Sequence, residues 1–585
     1  MNALKHINKY FFKYKRQLII GLIITVVARV FSLVMPVVVG NTLDVVKAKI
    51  DGEISEPTVF QHKLLVNILI IVGSTIISGL FTYWMRQNII NVSRYIEFDL
   101  KNEIFAHYEK LSLNFYKKNR TGDLMSRISE DVGQVRMYAG PAIMYSIQTA
   151  VLFLSVIPLM IYQSPKLTLY TLLPLPILSY SIYQLSKNIH QKSTIVQQFL
   201  SKISTFAQET FSGISVIKAY VLEDQTNANL VLLANESKVK NLDLAKVQAL
   251  FFPLMVLLIG FSNILVIYVG GKLYISGEIA SIGILAQFLI YVNMLTWPVA
   301  TVGWVSSIVQ RAEASQKRIN EFLETQADII NTVAETSEIS GKISFKNVSF
   351  TYDDTKIQAL KNLSFEIEKG KTLAILGKTG SGKSTILELI ARTYDVSEGE
   401  VCVDNINVKN LNLESLRNSI GMVPQNPFLF SDSIKNNIRF GDANASYEDV
   451  VKAAKNAYIH HNIVTFKNQY DTVLGERGIT LSGGQKQRVS IARAIIKKPK
   501  ILLLDDCLSA VDTETEEEIL GNILKLAQNI TTIIVSHRVS SAKNADKIII
   551  LKDGEIFQEG THNELIEQDG YYKELYNKQL TEKES

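Results

Sequence analysis

A glycine-rich loop is the segment of this sequence best suited to chemistry. It reads Gly377-Lys-Thr-Gly-Ser-Gly382-Lys383-Ser384, follows a strand-like apolar run and opens a helical stretch. Glycines let backbone N–H groups curl around phosphate oxygens, and the N-terminus of the following helix faces the anion. We predict a nucleotide site in which Lys383 contacts the β- and γ-phosphates and Ser384 contacts Mg²⁺. The predicted binding residues of the loop are Gly377, Lys378, Thr379, Gly380, Ser381, Gly382, Lys383, Ser384 and Thr385.

Two apolar runs further along the chain end in side chains that could assist this site. The run 501–504 precedes Asp505 and Asp506, and the run 532–535 precedes Ser536 and His537. Short, wholly apolar runs are typical of strands in a parallel sheet, whose carboxyl ends share one rim. We predict that Asp505 holds Mg²⁺ through water and that His537 contacts the γ-phosphate.

A second candidate anion site lies at Leu481-Ser-Gly-Gly-Gln485, directly before a basic helical stretch. The Ser482 side chain and the amides of Gly483 and Gly484 would lie at a helix N-terminus, where anions bind. One domain needs no second phosphate site, unless that site serves a nucleotide held by another copy. The sequence therefore predicts that Ser482, Gly483, Gly484 and Gln485 bind nucleotide in trans.

The first half of the chain contains apolar segments of about 20 residues, the length that spans a bilayer. We predict six spans, near 17–39, 64–85, 141–162, 166–186, 250–270 and 282–305. Basic residues crowd the long connections after the second and fourth spans, which places both connections and the N-terminus in the cytoplasm. The pattern of these connections is helical, so we expect cytoplasmic stalks with tips near 120–123 and 212–214.

Arg29 lies within the first apolar segment. A charge inside a membrane is costly and marks a cavity or a partner, although a snorkelling side chain would explain it equally well. The sequence leaves both interpretations open. Four further polar residues raise the same question, and for them we predict interhelical hydrogen bonds rather than contacts with substrate: Gln148, Asn263, Gln287 and Asn293.

Composition excludes several classes of protein. A net charge of +5 over 585 residues is too small and too dispersed for nucleic-acid binding. Cys402 and Cys507 both lie in the soluble half, so no disulfide framework is expected. The first apolar run is too long for the apolar part of a signal peptide, which predicts a retained membrane anchor.

In their order and spacing, these motifs resemble the nucleotide-binding domain of ATP-binding cassette (ABC) transporters. The resemblance includes Gln425 in Val-Pro-Gln-Asn-Pro and Tyr352, which is similar to the aromatic residue that stacks on adenine. Gly475-Glu-Arg-Gly478 resembles a stretch found in exporters. Segments 121–127 and 213–218 resemble the stalks of the multidrug, lipid and peptide exporter branch.

The resemblance implies ATP and Mg²⁺ as cofactors and a two-fold dimer that encloses two ATP molecules. It assigns catalysis to Asp506, His537 and Gln425, and metal binding to Ser384, Gln425 and Asp505. It implies a membrane α-helical bundle of six transmembrane helices with long cytoplasmic stalks, fused to an α/β P-loop ATPase domain. The expected parts are a transmembrane domain at 1–325, a linker at 326–342, a nucleotide-binding domain at 343–578 and a polar tail at 579–585.

One residue departs from the family pattern. Where the family has Asp-Glu, this chain has Asp505-Asp506, while its Leu-Ser-Gly-Gly-Gln signature is intact. The shorter carboxylate is displaced by about one C–C bond, and ~1 Å displacements can cost ~100-fold in rate. The combination resembles the subunit of heterodimeric exporters that holds a weakly active ATP site. We therefore expect a partner half-transporter, a small amphipathic substrate and a bacterial cell membrane; a slow homodimeric exporter and a regulatory ATP-binding subunit are the alternatives.

Overall fold

The computed structural model describes residues 2–475, 478–507, 513–526 and 530–584. The chain divides into two compact units. The first contains Met1–His107 and Gly122–Thr325, and the second contains Tyr108–Thr121 and Gln326–Ser585.

The first unit is helical, and the end of its third helix leads into the second unit. Its long helices are rich in apolar residues, as the sequence predicts. The helices of this part of the chain are α1 (Asn8–Lys13), α2 (Lys15–Ile50), α3 (Pro57–Lys110), α4 (Leu113–Lys118), α5 (Thr121–Ser126), α6 (Val132–Met137), α7 (Ile143–Gln163), α8 (Pro165–Leu172), α9 (Pro174–Ser212), α10 (Ile214–Ala219), α11 (Glu223–Ala249), α12 (Phe251–Ile275) and α13 (Ile282–Leu323). Of these, α4 belongs to the second unit.

Five helical stretches of the described chain are long and apolar enough to cross a membrane. They are Lys15–Ile50, Pro57–Lys110, Thr121–Gln163, Glu223–Ile275 and Ile282–Leu323. The span predicted near 166–186 falls on α8 and α9, which are divided at Leu173. Pro174 has no N–H group to continue the helical hydrogen bonds at this point. The six-span arrangement stays a prediction.

Close packing of α2 against α13 depends on two glycines. A Cβ atom on Gly283 would lie 2.2 Å from the carbonyl oxygen of Gly40, so the two backbones approach each other directly. Small residues permit such crossings between membrane helices. Asp44 of α2 reinforces the crossing because its carboxylate accepts hydrogen bonds from the Gly283 N–H, at 2.9 Å, and from the Ser281 hydroxyl.

The prediction of interhelical hydrogen bonds is confirmed for two of the four polar residues of the membrane segments, Gln148 and Gln287. Arg29 donates to the Gln148 side chain at 3.3 Å, and Gln287 accepts from Gln163 of α7. For Asn293 the prediction is wrong, because its amide donates to the Leu289 carbonyl of its own helix at 2.8 Å. The Asn263 side-chain oxygen is buried and has no hydrogen-bond partner among the described residues.

The second unit is an α/β structure with two sheets. The strands are β1 (Ile343–Thr351), β2 (Gln358–Ile367), β3 (Thr372–Gly377), β4 (Glu398–Val403), β5 (Ile406–Asn407), β6 (Ile420–Val423), β7 (Ile501–Asp505), β8 (Thr531–Val535), β9 (Lys547–Lys552) and β10 (Glu555–Gly560). A six-stranded sheet has the order β10-β9-β3-β8-β7-β6, and a four-stranded antiparallel sheet has the order β2-β1-β4-β5. The helices are α14 (Lys383–Ile390), α15 (Leu413–Asn418), α16 (Ile434–Arg439), α17 (Tyr447–Asn456), α18 (His460–Thr465), α19 (Gly483–Ile496), α20 (Thr513–Leu526), α21 (Val539–Ala542), α22 (His562–Glu567) and α23 (Tyr571–Glu584).

The register of the parallel strands creates the rim that carries the site. All residues of β3, β7 and β8 are buried, which fits their mainly apolar sequences. Val535 at the end of β8 pairs with Ile375 of β3 and with Asp505 of β7. The residues that directly follow these three strands therefore lie at one edge of the sheet.

Candidate nucleotide-binding site

The phosphate loop requires glycine at two positions for steric reasons. Gly377 has φ = 153°, and a Cβ atom there would lie 2.3 Å from the Leu551 carbonyl oxygen. Gly382 has φ = 96°, and its Cβ would lie 2.4 Å from the Ala359 carbonyl oxygen. Any side chain at either position would clash with backbone, so the glycine pattern is a condition for the shape of the loop.

Lys383 and Ser381 present polar groups inside this loop. The Lys383 ammonium donates to the carbonyls of Gly377 and Lys378, at 2.9 Å each. Burial lowers the pKa of Lys383, and the charges of Asp506 and Asp505 partly oppose this shift. The buried Ser381 hydroxyl has no hydrogen-bond partner among the described residues. The loop thus contains a cation and a polar atom able to contact phosphate oxygens.

Oxygen ligands for a divalent cation meet at the rim. The Ser384 hydroxyl donates to the Asp505 carboxylate at 2.9 Å. Burial raises the pKa of Asp505, although the Ser384 hydrogen bond and the charge of Lys383 oppose this shift. A hydroxyl, a carboxylate and the side-chain carbonyl of Gln425 are the oxygen donors that Mg²⁺ prefers. The donor set therefore fits Mg²⁺.

Asp506 lies between the two other residues to which the sequence assigned catalysis. One oxygen of its carboxylate is 3.5 Å from the Gln425 amide nitrogen and 3.5 Å from His537 Nε2. Its backbone has φ = 43° and donates to the Val535 carbonyl at 2.9 Å, which fixes the residue at the end of β7. Asp506, Gln425 and His537 therefore converge on one point of the rim.

The other end of the site is aromatic and includes residues that sequence reasoning missed. The Tyr352 hydroxyl is hydrogen bonded to Glu388 at 3.0 Å and to the Thr385 hydroxyl at 2.9 Å. The Lys117 ammonium lies 4.8 Å from the centre of the Tyr352 ring and 4.9 Å from that of Tyr394. Glu388 is one helical turn after Thr385, so it could have been identified from the helix pattern. Lys117 gave no such signal.

A cavity of about 470 Å³ joins these two ends. It is lined by predicted residues of the loop, the rim and the aromatic end, together with Lys117. The predicted residues in its wall are Tyr352, Thr379, Gly380, Gly382, Lys383, Ser384, Thr385, Gln425, Asp505, Asp506 and His537. Gly377, Lys378 and Ser381 belong to the loop outside this wall.

The signature residues form a separate helix N-terminus outside the cavity wall. Ser482 precedes α19 and makes a reciprocal pair with Gln485: its hydroxyl accepts from the Gln485 N–H at 3.4 Å, and its own N–H donates to the Gln485 side chain at 3.0 Å. Gly483 is exposed. Glu476 and Arg477 of the exporter-like stretch lie outside the described residues.

Comparison with known proteins identifies the class of this chain. Residues 18–299 match the ABC transporter transmembrane region, and residues 360–509 match the ABC transporter family. The chain is 35% identical over 584 residues to the multidrug resistance-like ATP-binding protein MdlA of Escherichia coli, covering 100% of this chain and 97% of that protein. It is 33% identical to the ATP-dependent lipid A-core flippase of Syntrophus aciditrophicus, covering 87% and 84%.

A solved structure supports the same assignment. A bacterial Atm1-family ABC exporter with ATP bound superposes with a TM-score of 0.81 and 26% identity, covering 96% of this chain and 99% of that one. The chain belongs to the ABC transporter family. It is an exporter with a fused helical transmembrane domain and an ATPase domain. ATP hydrolysis in its cytoplasmic domain is coupled to export across the membrane, and such chains dimerise there.

Proposed function

We propose that this chain is one subunit of a heterodimeric exporter of small amphipathic molecules, with a weakly hydrolytic ATP site of its own. One observation carries this proposal: Asp506 occupies the rim position where the family has glutamate, while the signature before α19 is intact. The chain then holds an ATP that seldom turns over, and its signature completes the partner's site.

In this proposal the residues of the cavity have separate roles. Lys383 neutralises charge on the β- and γ-phosphates, and the phosphate-loop amides hold the same oxygens. Ser384, Gln425 and Asp505 hold Mg²⁺, which supplies charge stabilisation when bound. His537 donates to the γ-phosphate. Asp506 faces the attacking water with a carboxylate that is one methylene too short to activate it well.

Substitution of Asp506 tests this proposal, because the proposal depends on that residue. We expect Asp506→Glu to raise the ATPase rate at this chain's own site by ~10- to 100-fold, because the added methylene returns the carboxylate by about 1 Å. The measurement is the steady-state ATPase rate of the full-length chain reconstituted alone, where two copies can pair and supply each other's signature; the unaltered chain should be slow. Asp506→Asn is the control and should stay slow. Rapid hydrolysis by the unaltered chain would overturn the proposal.

A homodimeric exporter with slow hydrolysis is the second candidate. The convergence of Asp506, Gln425 and His537 within 3.5 Å favours it, because this arrangement places a carboxylate in the cavity. Coupled transport by the chain alone in proteoliposomes would support this candidate over the heterodimer.

The proposed substrate class rests on the apolar membrane helices and on the names of relatives. Among them are a multidrug resistance-like protein and a lipid flippase. Both names fit a substrate that partitions into a bilayer. The proposed topology has six spans, with the domain boundaries expected from the sequence.

A further inference from the structure

Tyr352 is held at the aromatic end of the cavity by the phosphate-loop helix. Its hydroxyl is hydrogen bonded to Glu388 and Thr385, both on α14, at 3.0 and 2.9 Å. Phe350 and Tyr394 meet its ring nearly edge to face, with interplanar angles of 83° and 85°. Since both ends of the side chain are fixed, the ring presents a defined face for stacking.

The Lys117 ammonium lies over the Tyr352 ring. Both residues line the cavity, and the ammonium lies within 5 Å of the centres of the Tyr352 and Tyr394 rings, a distance typical of cation–π contacts. Burial lowers the pKa of Lys117, but the hydrogen bond to Tyr394 and the charge of Glu388 outweigh it, so the pKa is raised. The group is therefore a cation.

We propose that Lys117 is an internal competitor of the nucleotide base, which must displace the ammonium before it stacks on Tyr352. The inference rests on the proposed role of Tyr352 in base binding, but not on heterodimerisation. Lys117 is an exposed residue, so its side chain can leave the rings without crossing packed groups. The predicted phosphate contacts lie at the loop around Lys383, so phosphate binding alone would not require this displacement.

Displacement of the Lys117 ammonium should affect the segment of the chain to which Lys117 belongs. Lys117 belongs to α4, which follows α3 after a two-residue interruption, and α3 is a candidate membrane span. Ser112 and Asn114 of this segment also hydrogen bond to Asp328, at 2.9 and 3.0 Å. Base stacking would thus break one of the contacts between this segment and the rest of the second unit.

The test compares a ligand with a base and one without. Binding of Mg-ADP and of Mg-pyrophosphate to the full-length chain in lipid nanodiscs is measured by titration calorimetry. The ratio of the affinity for Mg-ADP to that for Mg-pyrophosphate measures what the adenosine, with its base, adds to binding. Loss of a cation–π contact should raise this ratio about 2- to 5-fold in Lys117→Ala. Lys118→Ala removes the same charge one residue away and should leave the ratio unchanged. An unchanged or lower ratio in Lys117→Ala would overturn the proposal.

Tyr352→Ala separates this inference from the assignment on which it rests. It should lower the ratio, because stacking on the base is lost. An unchanged ratio in Tyr352→Ala would remove both the stacking role and the competition. A lowered ratio, combined with no effect of Lys117→Ala, would leave the stacking role intact and overturn the competition alone.

A fluorescent label attached to the Lys118→Cys variant gives a second measurement. If Lys117 had only a structural role, the emission of this label would not depend on the base. The two natural cysteines are buried, which directs labelling to the introduced one. Mg-ADP should change the emission and Mg-pyrophosphate should not. Equal responses to both ligands would contradict release of this segment by the base.

Discussion

At the scale of single residues, the site is a row of groups that the ends of parallel strands bring together. Ser384 hydrogen bonds to Asp505, and Asp506 lies beside Gln425 and His537. Their side chains come from different parts of the sequence, yet all lie on one rim of the sheet. The chemistry of the site therefore depends on strand register as much as on residue type.

Lys383 is the residue whose loss should weaken nucleotide binding most directly. Its ammonium now contacts loop carbonyls at 2.9 Å and is expected to exchange these contacts for phosphate oxygens. Lys383→Ala should weaken Mg-ATP binding to the full-length chain ~10-fold or more, because charge-assisted hydrogen bonds are worth about 1.5–3 kcal/mol each. Titration calorimetry measures the change, with circular dichroism as the check on folding. Unchanged affinity would remove the assignment.

At the scale of elements, glycine governs the close contact of α2 with α13. Gly283→Ala would place a methyl group 2.2 Å from the Gly40 carbonyl, so the helices must separate. We expect a loss of about 1–3 kcal/mol in stability, seen as a lower thermal unfolding midpoint in detergent. Gly79→Ala on α3 is the control, because a Cβ there meets no atom within 4 Å. Equal midpoints for the two variants would contradict the packing argument.

The elements also show which features could be predicted from the sequence and which could not. The phosphate loop and the rim were predictable because they depend on local patterns: glycine spacing, and apolar runs that end in Asp505 and His537. The interruption between α8 and α9 at Leu173 also has a local cause, because Pro174 has no N–H group, but a hydropathy profile alone does not detect it. Lys117 could not be predicted, since only the tertiary fold brings it to Tyr352. The bond of Asn293 to its own helix depends on rotamer choice, which sequence patterns do not contain.

At the scale of the whole molecule, the chain combines an ATPase domain with a membrane domain in one exporter subunit. The two surfaces that we predict to bind nucleotide are separate: the cavity around the phosphate loop, and the exposed helix N-terminus at Ser482. In the proposed heterodimer these surfaces serve different ATP molecules. Substitutions in the two surfaces should therefore have unequal effects on the assembled transporter.

The steady-state ATPase rate of the reconstituted pair tests the proposed asymmetry most directly. In the proposed heterodimer, Ser482→Ala removes an anion-binding hydroxyl from the partner's active site, and Gly484→Asp adds a negative charge beside the phosphates there. Such contacts are worth ~2.7–4 kcal/mol each, so the rate should fall ~100-fold or more. Asp506→Asn alters a site that contributes little turnover and should lower the rate much less. If Asp506→Asn proved as damaging as the signature variants, both sites would be catalytic and the asymmetric account would be wrong.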